Sequence, residues 1–254
     1  MSKKKCLAIM LLLFFVLFPM TVFAFDLGVR AFYWIPSFDG DVKVDEANII
    51  GTIIDFENDL GIDDESFPCL EAFLGIGKHH CSLSYTNIDY SGIKTISKNL
   101  VFRGENYSIS SLVDSSIEYL MIDFQYQYDF LDLENILAGF SIGSVIQLKY
   151  LDGDIRLKSS GINKQEDFTI PVPMLGLNVH LGILSDLLEA RLMGVGISYS
   201  GDMLYELVAE VSWTPFPFLD VHGGYKKFVI DIDEDDVVLD YDMSGPYIAV
   251  AVGF

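Results

Sequence analysis

Long stretches of this chain alternate between apolar and polar residues with a period of two. In residues 118–130, EYLMIDFQYQYDF, one face carries Leu120, Ile122 and Phe124, and the opposite face carries Asp123. A helix repeats every 3.6 residues, whereas successive side chains of a strand point to opposite faces. The same alternation recurs along the chain without an amphipathic helix of convincing length. The sequence therefore predicts an all-β protein.

The alternating segments are separated by turn-forming stretches, which divide the chain into strands and connections. Ten strands are predicted, at residues 27–36, 67–77, 81–96, 116–130, 136–158, 168–184, 189–199, 203–213, 218–231 and 237–254. An antiparallel closed sheet of this kind needs an even number of strands. Eight strands are the alternative, if residues 189–213 pair differently or residues 27–36 are not a strand.

The polar face of these strands consists mainly of Gly, Ser, Gln and Asn, with scattered charges. A water-soluble barrel would expose many Lys and Glu on its polar face, whereas small polar residues suit a narrow interior. We therefore expect the apolar face to point outward into lipid. Since backbone groups in hydrocarbon must all be paired within the protein, the first strand must pair with the last. The fold class predicted is a closed antiparallel transmembrane β-barrel.

The predicted connections are longer at one end of the barrel than at the other. The first set is 37–66, 97–115, 159–167, 200–202 and 232–236, and the second set is 78–80, 131–135, 185–188 and 214–217. Outer-membrane barrels place longer loops outside the cell and tight turns in the periplasm. We therefore expect acidic extracellular loops at the first end and periplasmic turns at the second.

The first 24 residues have the features of a secretory signal peptide. Lys3, Lys4 and Lys5 precede an apolar run, and the small-residue pattern VFA ends at Ala24. We predict cleavage after Ala24, which leaves residues 25–254 as the barrel. An uncleaved membrane anchor is the alternative, because the apolar run is close to the length that spans a bilayer.

The final strand ends on an aromatic residue that follows apolar residues at every second position. Its residues are Tyr247, Ile248, Val250, Val252 and Phe254. With the signal sequence, the alternating strands and the acidic loops, this segment resembles the bacterial outer-membrane β-barrel proteins of the small OmpA-like or porin-like kind. The resemblance implies a Gram-negative outer membrane, with its lipids and lipopolysaccharide as surroundings. It also implies recognition of the final strand by periplasmic chaperones and the barrel-assembly machinery.

Alternation also predicts which charged side chains point into the barrel. These are Arg30, Glu71, Asp123, Lys149, His180, Glu206, Glu210, His222 and Lys226. If one turn is centred on Phe216, Glu210 lies opposite His222. The same register places Glu206 opposite Lys226. Such pairs neutralise each other when desolvated and would plug the interior, whereas a charged constriction that selects solutes is the alternative.

Two cysteines, Cys69 and Cys81, remain after the signal peptide is removed. Pairing of Ile76 with Cys81 across the turn would point Cys81 outward. Cys69 has the inward parity of Glu71. A disulfide requires two closely spaced side chains on one side of the sheet, so we predict none.

Two acidic features of the sequence are candidate sites of chemistry. Asp63–Asp64 and Asp235–Asp236 weakly resemble the aspartate pairs of omptin proteases, but an Asp–His pair is also required and no histidine is predicted at that end. The sequence DIDEDDVVLDYD places Asp231 and Asp242 at EF-hand positions, yet it lacks the required glycine and flanking helices. We therefore predict no catalytic residue, no metal site and no cofactor.

Acidity is concentrated in residues 37–66, which carry ten acids and one lysine. This segment is interpreted as a solvated surface, with divalent-cation bridging to lipopolysaccharide as the alternative. The net charge of −21 argues against nucleic acid as a partner, because phosphate binding requires clustered Lys and Arg.

The sequence favours a monomeric outer-membrane barrel with a structural or surface-interaction role and an interior plugged by charge pairs. The alternatives are a small passive channel for small solutes and an outer-membrane enzyme, either an omptin-like protease or a lipid hydrolase.

Overall fold

The computed structural model describes residues 25–46, 49–133, 139–184, 187–234 and 237–254. All regular secondary structure in these ranges is β-strand. Among the described residues, no helix is long and apolar enough to cross a membrane. The predicted signal peptide, residues 1–24, and its cleavage site lie outside the described residues.

Ten long strands form the wall of the molecule and four shorter ones belong to two connections. The strands are β1 (Phe25–Trp34), β2 (Ser37–Val44), β3 (Ile54–Asp55), β4 (Phe67–Ile76), β5 (His79–Thr95), β6 (Leu100–Phe102), β7 (Glu105–Tyr107), β8 (Leu112–Asp132), β9 (Ser141–Ser159), β10 (Ile162–Gly182), β11 (Leu188–Tyr199), β12 (Asp202–Phe216), β13 (Leu219–Glu234) and β14 (Val237–Gly253). The wall runs β1-β4-β5-β8-β9-β10-β11-β12-β13-β14, and β14 pairs antiparallel with β1. The predicted closed barrel of ten strands is confirmed.

The first and last strands close the barrel along a regular register. Val29 lies opposite Val252, and Tyr33 lies opposite Ile248. At the end of the seam, the Phe254 N–H donates to the Leu27 carbonyl oxygen at 2.9 Å, and the Leu27 N–H donates to the Phe254 carbonyl oxygen at 3.1 Å. The seam therefore leaves no unpaired sheet edge, which is the condition for a β-sheet in hydrocarbon.

An apolar belt surrounds the outside of the barrel. Every wall strand contributes at least one large, exposed apolar or aromatic side chain, such as Val29, Leu70, Leu83, Phe124, Ile146, Leu175, Leu192, Leu207, Tyr225 and Ile248. Exposed aromatic residues mark the short-turn end: Tyr128, Phe130, Trp213, Phe216, Phe218 and Phe254. Between belt positions, the alternate residues point inward and are mostly polar, as the sequence predicts. This outward apolar face matches the lipid-facing belt of membrane barrels.

The polarity of the wall reverses toward the long-loop end. On β5, Ile88 and Tyr90 point inward and are fully buried, while Asp89 between them is exposed. This upper part of the wall has an apolar interior and a polar exterior, as in a water-soluble barrel. The strands thus extend beyond the apolar belt into a region suited to water.

The first long connection, residues 35–66, fills this upper interior. Its strand β2 extends the sheet beside β14, with Phe38 opposite Met243. Phe56 and Leu60 are buried in the same apolar cluster. We call the buried side chains of residues 35–66 the apolar plug. The interpretation of this segment as a solvated surface is therefore incomplete, because its apolar residues pack into the barrel.

The wall strands are longer at this end than the sequence indicates. Strand β8 begins at Leu112 and β10 begins at Ile162, so much of the predicted loops 97–115 and 159–167 is strand. The connection between β9 and β10 is only residues 160–161. Apart from Leu112, the exposed residues in these extensions are polar, so the apolar alternation that marks a lipid-facing strand fades there.

Two predicted registers are wrong by two residues. Across β12 and β13, Val208 rather than Glu206 lies opposite Lys226, because the turn falls at residues 217–218 and the pairing is irregular between Trp213 and Phe216. Similarly, Cys81 lies opposite Leu74 rather than Ile76.

The directions predicted for the two cysteines nevertheless hold. Cys69 is buried on the inward face, Cys81 has the outward parity of Leu83, and both are free thiols.

Candidate functional site

The barrel interior contains a layer of ion pairs at mid-height. Lys149 is wholly buried, and its Nζ lies 2.5 Å from Asp123 Oδ1 and 3.0 Å from Glu206 Oε2. Lys226 Nζ lies 3.3 Å from the same Glu206 oxygen. Each ammonium also lies near an aromatic ring, with Lys149 Nζ 4.6 Å from the centroid of Phe228.

A second group of charges meets at Glu210. Arg30 Nη1 lies 2.9 Å from Glu210 Oε2 and its Nη2 lies 3.0 Å from Glu71 Oε1. Arg191 Nε lies 3.8 Å from Glu210 Oε1. The Tyr247 hydroxyl donates to Glu210 Oε2 at 2.5 Å. Glu210 is therefore surrounded by donors from several strands.

These two groups together form what we call the central charge layer. Its members are four carboxylates and four permanent cations: Arg30, Glu71, Asp123, Lys149, Arg191, Glu206, Glu210 and Lys226. Three of its contacts join residues directly opposite on neighbouring strands, namely Arg30–Glu71, Asp123–Lys149 and Arg191–Glu210. Equal numbers of opposite charges allow the layer to be desolvated without an uncompensated charge.

The structure brings most of the predicted interior charges into this layer. His222 Nδ1 lies 3.2 Å from Glu210 Oε1, so the predicted partners meet diagonally although they are not opposite in register. His180 lies apart from the layer and pairs with Glu189 at 3.2 Å. Arg191 was missed by the sequence analysis. Its inward direction follows from the outward Leu192 beside it, so strand parity could have identified it.

The residues of the final strand divide between the two faces. Ile248, Val250, Val252 and Phe254 are exposed on the outer side of the barrel, while Tyr247 points inward to Glu210. The outward set fits the predicted apolar closing strand, and Tyr247 links that strand to the charge layer.

Above the charge layer, aromatic rings fill the interior. Lys226 Nζ lies 5.0 Å from the ring centroid of Trp34. The Phe38 ring stacks on Tyr90 at 4.4 Å and lies 5.4 Å from Phe56. It is also 5.2 Å from the ring of Tyr241. The apolar plug and these wall residues therefore form a second barrier across the same passage.

Below the charge layer lies a polar cavity of about 400 Å³. We call it the short-turn cavity, because residues from the short-turn ends of the strands line it. Its charged and imidazole side chains are Asp26, Arg30, Glu71, His80, Asp129, His180, Glu189, Arg191, Glu210, Asp220 and His222. The cavity borders the charge layer, where a second, smaller cavity of about 60 Å³ shares Arg30, Glu71 and Arg191 with its lining.

At the long-loop end, two carboxylates organise the plug by accepting backbone hydrogen bonds. Asp64 Oδ1 accepts the Phe38 N–H at 2.7 Å, and Asp45 Oδ1 accepts the Gly51 N–H at 2.7 Å. The bond from Gly51 is the main reason that the pKa of Asp45 lies below its ordinary value.

The aspartate pair Asp63–Asp64 lies far from the histidines. All four histidines of the chain belong to the short-turn half: His79, His80, His180 and His222. The pair Asp235–Asp236 lies outside the described residues. An aspartate–histidine arrangement at Asp63–Asp64 is therefore not formed.

The EF-hand-like aspartates are held apart by the sheet. Asp231 and Asp242 lie on β13 and β14, where Asp231 faces Asp240 and Asp242 faces Val229. Asp242 Oδ2 instead contacts Lys227 Nζ at 2.5 Å. Among the described residues, no group of three or more His, Cys, Asp or Glu is placed to hold a metal ion.

No protein-family model matches the sequence, and neither does any curated protein sequence. Among solved structures, the outer-membrane protease OmpT from Escherichia coli is similar, with a TM-score of 0.54 and 6% sequence identity over 89% of this chain and 97% of that chain. Neisserial surface protein A has a TM-score of 0.34 and 12% identity, over 91% of this chain and 97% of that one. Ail, the attachment invasion locus protein of Yersinia pestis, has a TM-score of 0.36 and 11% identity, over 90% and 98%.

The closed antiparallel barrel and its outward apolar belt define the fold of the bacterial outer-membrane β-barrel proteins, as the sequence resemblance predicts. At such low identity the similarity to OmpT concerns the fold alone.

Proposed function

We propose that this protein is an integral outer-membrane barrel with a closed interior, which serves a structural or surface-interaction role rather than conduction. The observation that carries the proposal is the packing of the apolar plug against the wall: Phe38 and Phe56 of the plug and Tyr90 of β5 fill the upper interior above a neutral charge layer. A hydrated solute or ion would have to displace both barriers. Interior charge pairs of this kind are costly to separate, because each partner is left as a buried charge.

The polarity of the wall supports an orientation across the membrane. The apolar belt is bounded at the short-turn end by exposed aromatic residues such as Trp213 and Phe218, which suit a membrane interface. The extended, acidic end would then face the outside of the cell, and both ends of the described chain would face the periplasm. Phe254 would be presented to the periplasmic chaperones and the barrel-assembly machinery during insertion.

The outer surface above the belt supports lipopolysaccharide as the neighbouring lipid. Four carboxylates lie directly opposite one another across β5, β8, β9 and β10: Asp89, Glu118, Asp154 and Asp167. Like charges in directly opposite positions repel. Divalent cations shared with lipid phosphates would relieve that repulsion. Catalysis is not part of the proposal, because the acidic end lacks a histidine beside Asp63–Asp64.

Conductance in planar bilayers tests the closed interior. The refolded protein is added to a bilayer after its folded state is checked by heat-modifiable migration on a gel. We expect no openings above the baseline of a protein-free bilayer. Stable unitary openings would reject the closed barrel and favour the small passive channel.

Surface labelling tests the location and orientation. In a Cys69→Ser/Cys81→Ser background, Tyr199→Cys at the long-loop end is compared with Lys78→Cys in a short turn. A bulky maleimide that cannot cross the outer membrane should label the first variant in intact cells and the second only in broken cells. The reverse pattern, or no labelling of Tyr199→Cys in intact cells, would contradict the proposal.

A further inference from the structure

We propose that the short-turn cavity binds a small organic cation that carries primary ammonium groups. The proposal goes beyond the proposed function. It depends on that function in one respect only, which is that the cavity opens toward the periplasm. The volume of about 400 Å³ is within the range of small-molecule sites. The inner end of the cavity is formed by the central charge layer, and beyond that layer the apolar plug fills the interior, so the cavity is not part of an open passage.

The permanent charges of the cavity do not balance. Six carboxylates line it, namely Asp26, Glu71, Asp129, Glu189, Glu210 and Asp220, against two guanidinium groups. Both guanidinium groups are engaged within the charge layer, where Arg30 contacts Glu71 and Glu210, and Arg191 contacts Glu210. Four carboxylates near the opening are therefore left without a permanent cation.

The partners of these four carboxylates are imidazoles and neutral donors. Asp129 contacts His80 Nε2 at 3.1 Å, and Glu189 contacts His180 Nε2 at 3.2 Å. Asp220 accepts the Thr214 hydroxyl at 2.5 Å. Asp26 is near enough to Asp220 for the two to repel. Even when all three imidazoles are counted as cations, the six carboxylates outnumber the five basic groups of the cavity, so the cavity attracts cations.

A buried acceptor in the cavity wall points to a ligand independently of the charge. Asn178 lines the cavity and is only 2% exposed, and its Oδ1 has no hydrogen-bond partner among the described residues. His222 also lines the cavity, and its Nε2 has no hydrogen-bond partner there. Buried polar atoms are rarely left unpaired. An ammonium group supplies three N–H donors and would satisfy an acceptor at this depth.

The remaining walls favour an organic cation over a bare metal ion. Phe73 exposes its ring to the cavity, and an aromatic face attracts ammonium groups and packs against methylene groups. The carboxylates belong to different strands around the pocket. An extended diamine or triamine can reach several of them, whereas one divalent ion requires them to converge.

Calorimetric titration of the full barrel in nanodiscs with spermidine tests the proposal. Magnesium chloride and sodium glutamate are titrated in parallel at the same ionic strength. We expect saturable binding of one spermidine, about tenfold weaker binding of magnesium, and no binding of glutamate. Tighter binding of magnesium than of spermidine, or no spermidine binding, would overturn the proposal.

Matched charge variants locate the binding. Asp26→Asn/Asp220→Asn should weaken spermidine binding about tenfold, because two carboxylates at the opening are neutralised. The control Glu57→Gln/Asp63→Asn changes the net charge equally at two exposed positions outside the cavity and outside the carboxylate row, and should leave the affinity unchanged. Gln125→Glu adds a charge inside the cavity at nearly constant shape, and should tighten binding.

Equal losses in the cavity and control variants would place the binding on the outer surface and overturn the proposal. Heat-modifiable migration verifies that each variant is folded, and the Gln125→Glu gain cannot arise from misfolding. The titration does not depend on conductance, so a barrel that conducts could still bind spermidine here, and a silent barrel could fail to bind it.

Discussion

Lys149 and Asp123 lie directly opposite each other on β9 and β8, with Lys149 Nζ 2.5 Å from Asp123 Oδ1. The same ammonium reaches across the interior to Glu206 on β12 at 3.0 Å. One buried cation therefore connects strands on different parts of the wall. Lys149 also shares Glu206 with Lys226, so the contacts form a chain of ion pairs. Loss of one member leaves its buried neighbours without an opposite charge.

Replacing Lys149 with methionine should destabilise the barrel by about 3–5 kcal/mol, because Asp123 and Glu206 then lose a buried partner. Urea unfolding in lipid vesicles, followed by tryptophan fluorescence, measures the change. The control Lys164→Met removes a lysine from a solvent-exposed pair with Glu105, in which the two side chains are 34% and 46% exposed, and should cost no more than about 1 kcal/mol.

The double variant Lys149→Met/Asp123→Asn separates a charge effect from a packing effect. Neutralising Asp123 removes one of the stranded carboxylates, so the double variant should be more stable than Lys149→Met alone. Additive losses in the double variant would contradict this explanation.

Deletion of Phe254 should strongly reduce the amount of folded protein in the outer membrane. The deletion removes both hydrogen bonds between Phe254 and Leu27 and the terminal aromatic residue of the closing strand. Phe218→Ala is a matched control, because it removes the ring that stacks on Phe254 at 5.8 Å but leaves the final strand intact. Normal insertion of the truncated protein, measured by heat-modifiable migration, would contradict the role of Phe254.

The number and facing of the strands could be predicted because lipid requires an apolar outer face, and that requirement is repeated along every wall strand. Register could not be predicted to the residue. It depends on the turns, and Phe218 adopts a positive φ of 78° in a turn whose sequence would also allow a turn centred on Phe216. The ion pairs of Glu210 and Glu206 survive the error because long side chains reach diagonal neighbours.

The apolar plug could not be recognised from overall acidity. In β2, the apolar residues Phe38, Val42 and Val44 point inward, while Asp39 and Lys43 point outward. The segment therefore has the alternation of a strand although it is rich in acidic residues. The charge count of residues 37–66 hides that pattern. Similarly, the inward direction of Arg191 follows only from the alternation of side chains along β11. It can be predicted once a neighbouring residue of that strand is known to face outward.

Glu118→Gln should stabilise the protein by about 0.2–1 kcal/mol in the absence of divalent cations, because Glu118 lies opposite both Asp89 and Asp154. Addition of magnesium should stabilise the wild type more than the variant, since the variant has less repulsion to relieve. Thermal unfolding with magnesium and with chelator measures both effects. Glu57→Gln, in the exposed part of the first connection, is the control. It should unfold at the same temperature as the wild type without divalent cations, and magnesium should stabilise it as much as the wild type. An equal response of all three proteins to magnesium would contradict cation bridging at this row.

Acidification should loosen the first connection before the barrel wall. The Gly51 N–H bond to Asp45, supported by Lys43, holds the pKa of Asp45 below its ordinary value of 3.8. A carboxyl with a depressed pKa stabilises the folded state above its ordinary pKa, and this contribution is lost as the pH falls through the lower, folded value. The hydrogen-exchange protection factor of the Gly51 amide should therefore be constant above about pH 5 and fall below pH 3.8.

Asp45→Asn is the control for this acid transition. Its amide oxygen can still accept the Gly51 N–H but does not titrate, so the protection factor should be lower at neutral pH and should not fall on acidification. Amides in the centre of β9, such as that of Gln147, report the wall and should stay protected in both proteins. The same acid-induced loss at Gly51 in the Asn variant would assign the transition to another carboxylate of the plug, with Asp64 and its bond to Phe38 as the next one to replace.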